Sequence, residues 1–172
     1  MKIVSIIIPH YNGKELLHNC INSIYQNISI ENFEIIVVDN GSKDESVKNI
    51  RQLFSDVIII SNKENVGYSG GCNIGAKNAE GKYLIFLNND TEHSKDWIEK
   101  LVSFLDSNPD TFAAQPKILN IKNKEYFDYA GGAGGFIDHF CFPYIKGRVF
   151  NTLEKDNGQY NKASKIFWSS GA

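Results

Sequence analysis

Short apolar runs alternate with amphipathic stretches through the first half of the chain, and this alternation predicts the elements. Residues 3–8, IVSIII, form a β-branched run closed by Pro9, which reads as a buried strand. Residues 14–26 carry Leu17, Cys20, Ile21, Ile24 and Tyr25 at helical spacing on one face. Residues 33–38 predict a second strand, followed by DNGSKDES and a shorter helix through Val47, Ile50, Leu53 and Phe54. A third strand is expected at 57–60, a helix at 69–79 that stops at Gly81, and a fourth, buried strand at 83–87. Ser94 is set to cap a helix with Trp97, Leu101 and Leu105 on one stripe, and 112–115 reads as a weaker fifth strand.

Continuous apolar strands alternating with amphipathic helices imply an α/β fold, a mostly parallel sheet with helices on both faces. Beyond about residue 117 the pattern breaks down. The stretch YFDYAGGAGGFIDHFCFPYIKGRVF is rich in glycine and aromatics and has no helical period. It reads as a long loop with short extended pieces. The chain is therefore divided into 1–117, the α/β domain, and 118–172, a Gly/aromatic-rich region. The final FWSSGA is an apolar run without cap or polar tail. We expect from it the front piece of a longer protein, with the fold incomplete at its carboxyl end.

Composition narrows the functional classes. With 172 residues, 42% hydrophobic and 22% charged, the chain is ordinary globular material. A net charge of -2 provides no field to steer polyanions, so nucleic acid is not an expected partner. An anionic ligand has to be caught locally, by backbone amides, a metal or a few placed cations. Cys20, Cys72 and Cys141 are far apart and form no CxxC pair, which argues against a zinc site or a disulfide framework. A reducing, cytoplasmic setting is the expectation. The start, MKIVSIIIPHYN, is too short for a membrane span and lacks a signal-cleavage pattern, and no other stretch approaches transmembrane length.

Ligands of parallel sheets bind outside the carboxyl ends of the strands. Polar residues gather at three such ends: Pro9-His10-Tyr11-Asn12, Asp39-Asn40-Gly41-Ser42 and Asn88-Asn89-Asp90. Asp90 can bind a divalent cation, or it can serve a turn or helix cap near Thr91 and Ser94. Asp39 can accept a hydrogen bond from a ligand N–H or hydroxyl, or close an Asx-turn in Asp-Asn-Gly-Ser. Tyr11 can stack on a planar ring or border the core. Gly67, Gly70, Gly71 and Gly75 suit either an unusual nucleotide-binding loop or close helix packing. GxxxxGK[ST] is absent, and no GxGxxG follows the first strand. His10, His18, His93 and His139 have no metal-ligand spacing and read as surface or core residues; no GxSxG elbow supports a hydrolase.

Together, VSIIIPHYNGKELLHNCINSI, FEIIVVDNGSKDES, NVGYSGGCNIGAKNAEGKYLIFLNND and IFWSSGA resemble, in order and spacing, the family 2 glycosyltransferases of GT-A (Rossmann-like) fold, particularly the rhamnosyltransferase-like branch. The resemblance covers nearly the whole chain. It implies that Pro9 and Tyr11 border a nucleobase and that Asp39 hydrogen-bonds the N–H of a pyrimidine ring. It also implies that Gly71 and Asn73 lie beside the nucleotide-sugar. Asn88-Asn89-Asp90 occupies the DxD position, where Asp90 would hold Mg²⁺ or Mn²⁺ against the donor diphosphate. Asn88 departs from that pattern: its amide can hydrogen-bond a ribose hydroxyl but adds no charge.

The expected function is transfer of a sugar from a UDP- or dTDP-sugar to a glycan or lipid-linked acceptor hydroxyl, metal-dependent and inverting. The setting implied is cell-surface polysaccharide synthesis, in the cytoplasm or peripheral at the inner face of the membrane. The family's general base follows the (S)GA stretch, so it is expected beyond Ala172, with Asp128, Asp138 and His139 as substitutes within the chain. A sugar-nucleotidyltransferase would need a basic, Gly-rich loop after the first strand, which PHYNGKE lacks. A DxDxT phosphatase would need a nucleophilic Asp where Asn88 stands. A non-catalytic nucleotide-binding module remains the alternative for the chain as it stands.

Overall fold

The structure, a computed structural model, describes residues 2–170. Gly171 and Ala172, which end the last resembling segment, lie outside the described residues. The chain forms two compact units, 1–99 and 100–172. In the first, β1 (Val4–His10), α1 (Lys14–Asn27), β2 (Phe33–Asp39), α2 (Ser46–Leu53), β3 (Ile58–Ser61), α3 (Gly67–Lys77) and β4 (Tyr83–Phe86) follow in strict alternation. A further helix, α4 (Trp97–Ser107), runs across the division. The four strands form one parallel sheet in the order β3-β2-β1-β4.

That order dictates which helix covers which face. The chain steps outward from β1 to β2 to β3, then returns across the sheet to β4. Right-handed crossovers therefore put α1 and α2 on one face and α3 on the other. On the α3 face Ile7, Ile36 and Val38 are fully buried, with Ile60, Ile74, Ala76 and Ala79 packed against them. The opposite face is served by α1, which buries Leu17, Cys20, Ile21 and Ile24. Parallel strands covered on both sides explain why β1 and β2 read as unbroken apolar runs.

The helix α3 sits unusually close to the sheet. A Cβ on Gly75 would lie 2.3 Å from Ile7 Cγ2, and one on Gly71 would lie 3.0 Å from Pro9 Cβ. Close helix packing, one of the two readings of the glycine stretch, is thus a requirement at Gly75. A buried carboxylate, Glu34, accepts hydrogen bonds from Ser5 Oγ and from Glu80 N (2.8 Å), far along the strands from the polar carboxyl ends.

Three expectations need correction. The fourth strand is not buried along its length: Leu84 and Phe86 are 42% and 39% exposed, because β4 lies at the edge of the sheet beyond the central pair. Residues 112–115 form no strand; Phe112 is fully exposed, and Gln115 instead spends its side chain on Gly131 O (3.0 Å) and Ser170 N (2.6 Å). Ser94 does not cap α4. The helix opens at Trp97 after Asp96, whose left-handed backbone (φ 58°) aims its N–H at Asn27 O, 3.0 Å away.

Beyond the end of α4, the second unit carries two small antiparallel hairpins, β5 (Gly135–Ile137) with β6 (Pro143–Ile145) and β7 (Arg148–Val149) with β8 (Thr152–Leu153). Phe127 is its fully buried centre, and Gly147, at φ 96°, closes over the ring where a Cβ would come within 2.6 Å. From 118 onward the described residues are loop with short extended pieces.

Gly75→Ala should overpack the α3–sheet contact and lower stability by about 1–3 kcal/mol. Urea unfolding followed by circular dichroism measures this, and an unchanged midpoint would contradict the close contact.

Candidate functional site

Strand register brings the polar ends together. His10 is paired with Asp39 across β1 and β2, and Ile7 with Phe86 across β1 and β4. Counting on three residues from the latter pair brings His10 level with Asn89. The order of connections also reverses between β1 and β4, the place where a doubly wound sheet opens a crevice at its carboxyl edge.

The loops after β1 and β2 are laced to each other. Asn12 N donates to Ser42 Oγ (2.9 Å), Lys43 N to Asn12 Oδ1 (2.9 Å) and Gly13 N to Asp44 Oδ2 (2.8 Å). Asn12 and Gly13 both take positive φ to make this possible, which only short polar residues and glycine adopt readily. Asn40, buried next to Asp39, donates to Gly67 O (3.3 Å) and accepts from Asn62 Nδ2 (3.0 Å), tying β2 to the start of α3.

At the centre lies His10, 1% exposed. Asn89 Nδ2 stands 2.7 Å from its Nδ1, and Ser46 Oγ stands 2.9 Å from its Nε2. An amide N–H can only donate, so Nδ1 offers its lone pair and Nε2 carries the hydrogen. Ser46 Oγ then passes its own hydrogen to Asp44 Oδ1. Burial pushes the imidazole pKa of His10 down, against the opposing pull of Asp44 and Asp39, so the ring is neutral as the hydrogen bonds require. Burial works against ionisation of Asp44, but donors from Ser46 and Gly13 hold its carboxyl below the ordinary range. His10 is thus a satisfied core histidine, one of the two readings the sequence left open, and it also links the end of β1 to the loop after β4 and to the start of α2, which the sequence did not suggest.

The candidate ligand-binding residues occupy distinct positions around this frame. Pro9 is buried against Gly71. Asp39, 6% exposed, closes the Asx-turn through Ser42 N (2.8 Å), while no donor among the described residues meets its second oxygen. Tyr11 is half-exposed just past β1, and Asn73 is exposed on α3. Asn88 is half-buried, and its carbonyl is held by Thr91 Oγ1 (3.0 Å). Asp90 is exposed, and its carboxylate makes no hydrogen bond or ion pair among the described residues. Among them, no cluster of three His, Cys, Asp or Glu residues could hold a metal alone. A lone, free carboxylate does fit a Mg²⁺ or Mn²⁺ that draws its remaining ligands from phosphate and water.

The same loop is anchored from below. Cys20 Sγ lies 3.6 Å from both Asn88 O and Thr91 Oγ1, and burial pushes its thiol up to about 11, so it is inert as a nucleophile. His93 is wedged between Ser23 Oγ (Nδ1, 2.7 Å) and the Trp97 ring, stacked at 4.5 Å. Burial drives its pKa down to about 4.

The model of Glycosyl transferase family 2 matches residues 5–167. The chain belongs to glycosyltransferase family 2. It is 37% identical over 122 residues to an uncharacterized glycosyltransferase of Haemophilus influenzae, covering 69% of this chain and 37% of that relative. It is 41% identical over 98 residues to the uncharacterized glycosyltransferase YfnE of Bacillus subtilis, covering 56% and 25% respectively. The chain therefore spans well under half the length of these family members. Among solved structures, S. aureus TarS in complex with UDP shares the fold at TM-score 0.59 and 22% identity, over 69% of this chain and 39% of TarS. The GT-A-like α/β architecture expected from the resemblance is thus present. No helix among the described residues is long and apolar enough to cross a membrane.

The buried state of His93 carries a pH signature. Its folded pKa of about 4 lies below the ordinary 6.5, so between these values the unfolded chain binds more protons. The stability it confers is complete above about 6.5 and is lost as pH falls toward 4. Thermal melts of the wild type and His93→Gln should show a Tm gap that shrinks on acidification through this window; a constant gap would contradict it.

Proposed function

We propose that this chain forms the donor-binding part of a metal-dependent, inverting glycosyltransferase that moves a sugar from a UDP- or dTDP-sugar to a glycan or lipid-linked hydroxyl. One observation carries the reading: at a single sheet edge, buried Asp39 keeps an unmet oxygen while Asp90 stands exposed and unpartnered. Support also comes from the fold shared with TarS, which has been solved with UDP and with UDP-GlcNAc.

In this reading the free oxygen of Asp39 accepts the N–H of a pyrimidine ring, and the half-exposed ring of Tyr11 stacks on the base. Pro9 and Gly71 pack closely enough to let backbone border the nucleotide, with Asn73 and Asn88 offering amides to its sugar groups. The laced loops hold these groups before the donor arrives, so little ordering cost falls on binding. Asp90 would hold Mg²⁺ or Mn²⁺. When bound, the cation supplies charge stabilisation to the departing nucleoside diphosphate.

The acceptor hydroxyl still needs a base. Asp128 Oδ1 accepts from Ala130 N (2.8 Å) and Gly131 N (3.3 Å), and Asp138 Oδ1 from Phe140 N (2.8 Å) and Phe142 N (2.9 Å). His139 packs on Phe140 at 4.1 Å. Asp128 and Asp138 each spend one oxygen on a turn of their own, and in this reading the base lies beyond Ala172, as the family resemblance implies.

Calorimetric titration of the chain with UDP and dTDP, with and without Mn²⁺, tests the proposal. Mn²⁺ should tighten binding of one nucleotide about tenfold or more, Asp90→Ala should abolish that gain, and Asp39→Asn should weaken binding about five- to tenfold with or without metal. Binding that ignores both the metal and Asp90→Ala would overturn it.

A further inference from the structure

Asn89 is the one member of Asn88-Asn89-Asp90 to which neither composition nor the family resemblance gives a task. It lies between half-buried Asn88 and exposed Asp90, and its side chain turns in to the buried imidazole, 2.7 Å away. The preceding residue is fixed through its carbonyl by Thr91 and Cys20. Asp90, directly after, is exposed. A peptide chain clamped on an inward-pointing side chain has little freedom to rotate the next one back into the protein.

We propose that Asn89 and His10 are a positioning pair for Asp90: the Asn89–His10 hydrogen bond fixes the turn after β4 so that the Asp90 carboxylate is presented to the metal. The proposal rests on the reading of Asp90 as the metal-binding residue. Its physical basis is that the imidazole is immobile. It is buried, its Nε2–H is committed to Ser46 Oγ (2.9 Å), and Ser46 is committed in turn to Asp44, itself held by Gly13 N (2.8 Å). The turn after β4 is thereby referenced to the same frame that holds Asp39 and Tyr11. Asn89 touches neither donor nor metal in this scheme. It acts through its neighbour, as outer-shell partners of metal ligands do.

The experiment measures the ratio of UDP (or dTDP) dissociation constants without and with Mn²⁺ in the wild type, Asp90→Ala, Asn89→Ala and His10→Asn, with thermal melts to establish folding. Asn89→Ala should shrink the ratio about threefold, short of the complete loss expected of Asp90→Ala. His10→Asn, whose amide oxygen can stand near the lost Nδ1 acceptor but which gives up the Nε2 anchor on Ser46, should shrink the ratio less than Asn89→Ala does. If Asn89→Ala fails to melt cooperatively, Asn89→Ser, too short to reach the ring, replaces it. If Asp90→Ala abolishes the ratio while a folded Asn89 variant keeps it, positioning by Asn89 is overturned and the metal reading stands. If Asp90→Ala leaves the ratio intact, the metal reading fails and the positioning proposal falls with it.

Discussion

The site depends on the register of β1 with both of its neighbours. Parallel pairing sets His10 beside Asp39 on one side and carries Ile7 opposite Phe86 on the other. β1 and β2 therefore run out at one level, while β4 stops three residues short of it and its following loop reaches that level at Asn89. A slip of one residue in either pairing would send the side chain of His10 or of its partner to the opposite face. The link from Asn89 through His10 to Ser46 could not then form. Close seating of α3 through Gly75 protects the same register, since Ile7 and Val38 both lie against that glycine.

Much of this was legible in the chain. Isoleucine and valine runs marked β1 and β2 because burial on both faces leaves little of the polar alternation of a half-exposed strand, Ser5 and Glu34 being buried exceptions. The burial of β4 was misjudged because edge or centre is a matter of sheet order, which YLIF alone does not encode. Ser94 looked like a cap, but the entry to α4 is set by Asp96 bonding to the end of α1, a contact with no local signature. The strand proposed at 112–115 found no partner, and its glutamine served the neighbouring loops instead. Asp39 and Asp90 stood out by being polar after apolar runs. The pairing of His10 with Asn89 spans 79 positions and follows only from register, so no spacing rule could have found it.

Hydrogen bonds in the loops leave few groups unspent. Backbone amides of the turns after β1 and β2 are taken by Asn12, Ser42, Asp44 and Asp39. Buried polar groups that satisfy one another are rigid and expensive to disturb. What remains for the proposed donor includes one oxygen of Asp39, the ring of Tyr11, the amides of Asn73 and Asn88 and the carboxylate of Asp90. Selectivity in such a site comes from how fixed these groups are rather than from how many there are.

The chain of donors from Asn89 to Asp44 runs in a single sense, each group giving its hydrogen to the next. Such a file of dipoles looks suited to carrying protons. Its ends forbid it. The carboxamide at the head cannot surrender a proton near neutrality, so it does not refill the imidazole through Nδ1. The file is therefore an insulator with a fixed polarity, its negative end at the outer loop and its uncharged end beneath the crevice. The buried histidine here conducts nothing, and under the proposed function any acid–base chemistry would be served by groups outside the file.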